Sequence, residues 1–239
     1  MSLIYVFAAS PMEAEPVRKM ARAGDSNPAL PFGANDVVLM DGAMGPKNAR
    51  NKAENALGRS GKPDAFLVIG LCGGLSASLG EGSIVAYDAC ISTEAASSRL
   101  PCSTVVTDSM ANLLASSNTR AGRVVGVTSS RIAINRAERA ALAELGADVV
   151  DMESYSILSV AAAAGVPAAV LRVVSDSVDR ELPDLNRALN ESGGLDGRKA
   201  LGVALRSPVA TVRLLAANKR AMQRLAGALE IVLKAPCFD

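Results

Sequence analysis

Apolar and polar positions along the 239-residue chain fall into two kinds of block. Short apolar runs bounded by glycine, proline or serine read as buried strands, and longer runs with apolar residues three and four apart read as helices. The strands are expected at Leu3–Ala9, Val37–Met40, Ala65–Gly70, Gly82–Ile91, Val124–Val127 and Val166–Val174. Helices are expected over Asn48–Leu57, Ser109–Ala115, Arg136–Leu145, Glu153–Ala164, Arg198–Leu205 and Thr211–Leu233, the last long and amphipathic. Gly24–Asn35, with its Gly, Pro, Asn and Ser residues, reads as a loop. Strands alternating with helices, with glycine turns at strand ends, predict a three-layer α/β domain. Nothing in the composition marks a linker, so residues 1–239 read as one domain.

The chain organises around Asp151–Asp179. A carboxylate pair, Asp151 and Glu153, opens an Ala-rich helix that Gly165 and Pro167 terminate. The strand behind it is apolar nearly throughout, as a strand buried on both faces is, except for Arg172. In an extended strand Arg172 and Asp176 share a face, and a buried charge needs a partner. Ligands of open α/β sheets collect beyond the carboxyl ends of strands, which is where Ser175, Asp176 and Asp179 fall. An ion pair followed by a polar turn accounts for the same residues without a ligand.

Two further strand ends carry candidate chemistry. Ser10-Pro11-Met12-Glu13 has the form of a capping box with proline at the first helical position, which gives Glu13 a structural task. Pro16 suggests that the regular helix begins only around Glu15, leaving that carboxylate near a helix N-terminus at the end of a strand; a solvated first-turn acid is the plainer reading. Gly70-Leu71-Cys72-Gly73-Gly74 lets backbone pass close to a ligand, or forms a simple turn. It has neither dinucleotide-fingerprint spacing nor a P-loop lysine.

Composition narrows the chemistry. There is no histidine, so acid/base work near neutral pH falls to carboxylates, cysteine, lysine or water, and histidine-based triads and metal centres are excluded. The four cysteines, Cys72, Cys90, Cys102 and Cys237, lack CxxC spacing, which argues against a zinc site and a disulfide framework and for a reducing cytoplasm. Basic and acidic residues number 25 and 24, so no nucleic-acid footprint or polybasic membrane patch is expected from the net charge of +1. No apolar run reaches the length of a membrane span, and Leu3–Ala9 lacks the basic leader of a signal sequence.

Four motifs in order, PMEAE after the first strand, GLCGGL followed by EGSIV, DMES, and LRVVSDSVD, resemble the purine nucleoside and uridine phosphorylase family, on its methylthioadenosine/S-adenosylhomocysteine nucleosidase branch. The resemblance implies a three-layer α/β/α phosphorylase/hydrolase-like fold with a central mixed sheet, and cleavage of the N-glycosidic bond of a purine nucleoside. It implies that Glu153 binds the ribose hydroxyls with Met152 packed on the sugar. Asp176 would be the acid at purine N7, supported by Arg172 and Ser175, and Glu15 would activate the attacking water. Cys72 and Gly73 of the glycine loop would line the substrate site. No metal or cofactor is implied, and a homodimer or higher homo-oligomer is.

Departures from the family pattern are informative. Leu71 stands where a small hydroxyl residue usually touches the nucleophile, and Val68 where the phosphorylases carry an arginine, which favours water over phosphate. In place of a stacking aromatic the chain has Thr128-Ser129-Ser130-Arg131; Arg131 reads either as a base-binding residue or as an exposed loop arginine. That segment, DMES and the tail from Arg180 onward resemble the hopanoid-associated branch, whose implied substrate is the lipid-linked nucleoside adenosylhopane. Phosphorolysis of a purine nucleoside and nucleoside binding without turnover are the alternative readings.

Overall fold

The computed structural model describes residues 2–20, 30–60, 62–94, 98–190 and 193–238. Strict alternation along the central strands sorts their side chains to two faces. In β1 (Ser2–Ala8), Ile4, Val6 and Ala8 join one apolar cluster while Tyr5 and Phe7 join the other. β4 (Ala65–Gly74) and β9 (Ala168–Asp176) divide the same way, Leu67, Ile69, Leu171 and Val173 to the first cluster and Phe66, Val68, Val170 and Val174 to the second. Both faces are therefore covered, as the apolar runs require.

Among the described residues nine strands form one mixed sheet. β1 runs parallel to β3 (Asn35–Met40) and to β4, and β4 parallel to β9; β2 (Leu30–Phe32) lies antiparallel on the outer edge of β3. β5 (Ile84–Ser92) runs parallel to β7 (Ala121–Thr128), β7 parallel to β8 (Val149–Asp151), and β8 antiparallel to β4, while β6 (Arg99–Pro101) flanks β5. Because β9 pairs with both β4 and β5, the strands β4, β8, β7, β5 and β9 close a ring, and β1, β3 and β2 extend from it as a flange.

Helices cover both sides. α1 (Pro11–Met20), α3 (Thr104–Ser116) and α7 (Pro208–Lys234) pack on the first cluster through Val17, Met110, Leu114, Leu225 and Leu229. α2 (Pro46–Ser60) and α5 (Ser154–Ala164) pack on the second through Ala49, Ala53, Ile157 and Ala161. α4 (Arg136–Ala143) closes a small third cluster, a 3-10 turn occupies Leu185–Ala188, and α6 (Gly197–Arg206) precedes α7. Among the described residues no single helix is long and apolar enough to cross a membrane.

Three sequence expectations need correction. α1 begins at Pro11 rather than near Glu15: the capping box closes, with the Ser10 N–H donating to Glu13 Oε2 at 3.0 Å and the Glu13 N–H to Ser10 Oγ at 3.3 Å. Pro16 removes a single internal hydrogen bond and leaves the helix start untouched. β4 does not end at Gly70 but runs on to Gly74, since its glycines keep pairing with β9 across a bulge at Cys72/Gly73. The expected Gly24–Asn35 loop lies outside the described residues up to position 29; beyond that its end is β2 and the first residue of β3.

Candidate active site

The carboxyl ends of β1, β4, β8 and β9 open onto one cavity of about 240 Å³. Glu13 reaches it from the first turn of α1. Its capping bond to Ser10 uses Oε2, and Oε1 accepts the Leu71 N–H at 2.8 Å, so the carboxylate spans two strand ends. Gly70 makes that approach possible, because at φ +147° it adopts a backbone that favours glycine, and a Cβ there would overlap the Glu13 carboxylate.

Arg172 is wholly buried between two carboxylates. Its Nε lies 3.3 Å from Asp151 Oδ2 and its Nη2 3.1 Å from Glu153 Oε2, while Nη1 donates to the Leu71 carbonyl. Asp151 is the better-served acid: Tyr87 Oη and Thr128 Oγ1 donate to it, as do the Glu153 and Ser154 backbone N–H groups at the start of α5. Burial pushes against its charged form, yet Arg172 and these donors hold its carboxyl below the usual carboxylate range. Asp151 also caps α5, which frees the Glu153 side chain to face the cavity. There Glu153 Oε1 accepts the Gly45 N–H at 3.0 Å, its one donor among the described residues. Burial, reinforced by the charges of Asp151 and Glu13, pushes the Glu153 carboxyl up to about 7 against the pull of Arg172.

The third acid is Asp176, at the end of β9. It does not pair with Arg172, as its place on the strand suggested; the bulge in the neighbouring strand and the two carboxylates of the Asp151–Glu153 pair give each arginine a different partner. Asp176 Oδ2 is bound by Arg139 of α4, and Oδ1 accepts from Ser175 Oγ at 2.5 Å. Arg139 is 1% exposed and donates also to the Gly74 carbonyl; its Nε has no partner among the described residues. Gly73 leaves room for this pair, since a Cβ there would stand 3.1 Å from Asp176 Oδ2.

Of the residues singled out in the sequence, Asp176, Glu153, Met152, Arg172, Ser175, Cys72, Gly73 and Arg131 all line this cavity. Arg131 is exposed at its rim. Burial pushes the Cys72 thiol well up, so it is a neutral wall and not a nucleophile. Glu15 is not in the cavity. It lies on the outer face of α1, half exposed, 3.5 Å from Lys19 Nζ. Asp179 is likewise outside, at the surface beside Arg136.

Two cavity residues escaped the sequence reading. Glu13 was absorbed by its capping role, although an acid that caps a strand-end helix can face a ligand as well. Arg139 was hidden in a helical run, yet it lies three and four positions before Leu142 and Ala143, which pack on the third cluster, and so on the inward face of α4. The remaining wall is largely apolar, with Met12, Ile132, Leu182, Leu185 and Leu214 beside Asn218, and no aromatic side chain among the described residues.

A family model described as the phosphorylase superfamily matches residues 30–194. The chain belongs to the phosphorylase superfamily. No curated protein matches it by sequence. Among solved structures, S-adenosylhomocysteine nucleosidase from Streptococcus pyogenes is similar with a TM-score of 0.76 at 15% identity, covering 98% of this chain and 96% of that one. The 5'-methylthioadenosine/S-adenosylhomocysteine nucleosidase from Neisseria meningitidis, in complex with methylthio-immucillin-A, gives 0.76 at 16% identity over 98% and 99%. Futalosine hydrolase of Helicobacter pylori gives 0.73 at 15% identity over 97% of each chain. At such identities the superfamily fold is what is shared, and the mixed sheet with helices on both sides is that fold.

Proposed function

We propose that this superfamily member hydrolyses the N-glycosidic bond of a 5′-substituted adenine nucleoside. The observation that carries the reading is the convergence of Glu13, Glu153 and Asp176 on one cavity at the strand ends. Cleavage of an N-ribosidic bond develops positive charge on the sugar and negative charge on the departing base. Asp176 gives a proton to purine N7 as the C1′–N9 bond breaks, and Arg139 compensates the carboxylate left behind. Glu13 takes a proton from the water that attacks C1′, oriented for this by the Leu71 N–H. Glu153 accepts from the ribose hydroxyls, with Met152 against the sugar. Glu13 thus takes the role that the family resemblance gave to Glu15.

Water is favoured over phosphate because the two buried guanidiniums of the cavity are already engaged by Asp151, Glu153 and Asp176. The exposed Arg131 at the rim is the feature that supports phosphorolysis as a second reading. An apolar flank of Leu182, Leu185 and Leu214 suits an apolar 5′ substituent, of which adenosylhopane is the case suggested by the hopanoid-branch resemblance.

The test is adenine release from 5′-substituted adenosines with and without phosphate, comparing the native chain with Asp176→Asn. Phosphate-independent release that falls about 10²–10⁴-fold in the variant is expected, the range for losing a positioned acid. Strict phosphate dependence would move the chain to the phosphorylases. Nucleoside binding with no release from either soluble or lipid-linked adenosines would make it a binding protein.

A further inference from the structure

A second surface lies outside this chemistry. From Gly197 to Leu229, through α6 and most of α7, every charged side chain is basic, although the whole chain is close to neutral. Arg220 is bound by Glu81 and Arg224 leans on the Gly82 carbonyl. Arg198, Lys199, Arg206, Arg213 and Lys219 are exposed and make no side-chain hydrogen bond or ion pair among the described residues. The same stretch exposes large apolar side chains that the fold does not use. Leu201, Leu205, Val209, Val212 and Leu215 are 61–74% exposed, the first two four apart on α6 and the last three at steps of three on α7, so each helix carries its own on one side. Isolated exposed apolar side chains are ordinary; five in one stretch, interleaved with unopposed cations, are not.

Position adds a second argument. α6 and α7 meet at a bend of 119° beside Pro208, so the stripe forms an elbow and not a spanning helix. The elbow leads to the candidate active site: Leu214 and Asn218 line its cavity. Leu215, Asn218 and Met222 line a neighbouring groove of about 600 Å³ against α1, and Met12 belongs to both.

We propose that the α6–α7 elbow docks on an anionic lipid bilayer, its apolar stripe at the headgroup boundary and its cations on the acidic headgroups. An amphipathic helix with an apolar face and a basic flank binds such surfaces by both terms together, and each Lys or Arg near the surface adds to the attraction. A second copy of this chain is a poorer occupant. A two-fold contact through the same face would set one basic flank against the other. The docking does not rest on the nucleosidase reading, since it needs no substrate. Where both hold, an apolar 5′ substituent has a route from the bilayer along the groove past Met12 to the cavity.

The experiment is co-sedimentation of the full chain with phosphatidylcholine vesicles and with vesicles that also contain phosphatidylglycerol, at low and raised salt. Binding to the anionic vesicles alone, weakened by salt, is expected. Arg206→Ala and Arg213→Ala should each lower partitioning about fivefold. Leu205→Glu with Val212→Glu should abolish it while leaving far-UV circular dichroism and adenine release from a soluble nucleoside unchanged. No association with anionic vesicles, or association indifferent to these substitutions, overturns the proposal. So does sedimentation velocity in which the native chain is an oligomer that Leu205→Glu with Val212→Glu dissociates, since a second copy would then cover the face.

Discussion

Arg172 is one cation shared by two buried acids, and their unequal surroundings decide which keeps a proton. Asp151 has side-chain and backbone donors in addition to Arg172, whereas Glu153 has the Gly45 N–H and burial against it. Glu153, raised from 4.5 to about 7, binds a proton in the folded chain that the unfolded chain releases earlier. Its contribution to stability is therefore fully present below about pH 4.5 and is lost as pH rises through about 7. Function runs the other way. In the proposed function Glu153 accepts from both ribose hydroxyls and must be ionised to do so, so kcat/KM for nucleoside cleavage should rise as pH passes about 7. The pH profile of Glu153→Gln should lack that rise, and its thermal stability should lack the opposing decline; a rise that survives the substitution assigns the titration elsewhere. Asp151 has the reverse sign, with stability present above its ordinary pKa and lost in acid.

At the scale of elements, where a helix starts determines which acid faces the cavity. α1 begins at Pro11, so Glu13 turns toward the end of β4 and Glu15 turns outward to Lys19. Glu13→Gln should therefore slow adenine release by about 10²–10⁴-fold, while Glu15→Gln leaves it near the native value. Equal losses in the two variants would mean that α1 begins later than Pro11. Much of the fold was legible because strand alternation and helical spacing are dictated by burial; the DMES segment placed Glu153 at a helix start and LRVVSDSVD placed Asp176 at a strand end. β2, β6 and β8 were not legible, since three residues are too few to show a period of two. Nor was the choice between Glu13 and Glu15, which turns on how many bonds Pro16 costs rather than on any pattern. Arg139 needed tertiary knowledge, because only the packing of α4 on its neighbours shows that its guanidinium reaches Asp176. Gly126 belongs with it: a Cβ there would overlap the Tyr87 ring, whose hydroxyl steadies Asp151 from across the closed ring of strands.

Over the whole molecule, α7 performs two different tasks along its length. Its second half carries Ala221, Leu225, Leu229 and Val232 into the first core cluster, over β9 and β4. Its first half turns Val209, Val212 and Leu215 to solvent. If folding alone had shaped this helix, its apolar stripe would face inward from end to end, as burial favours by about 25 cal/mol per Å². Leu229→Ala should cost about 2–5 kcal/mol, the range for a buried leucine, and lower the melting temperature by about 2–4 °C for each kcal/mol in a chain of this size. Leu215→Ala, at a site already 61% exposed, should leave the melting temperature within about a degree of native. Thermal melts of the two variants thus separate the part of α7 that holds the core from the part that the core does not need. A large loss in Leu215→Ala would mean that the first half is packed against protein after all, and that its apolar stripe answers to folding rather than to an external surface.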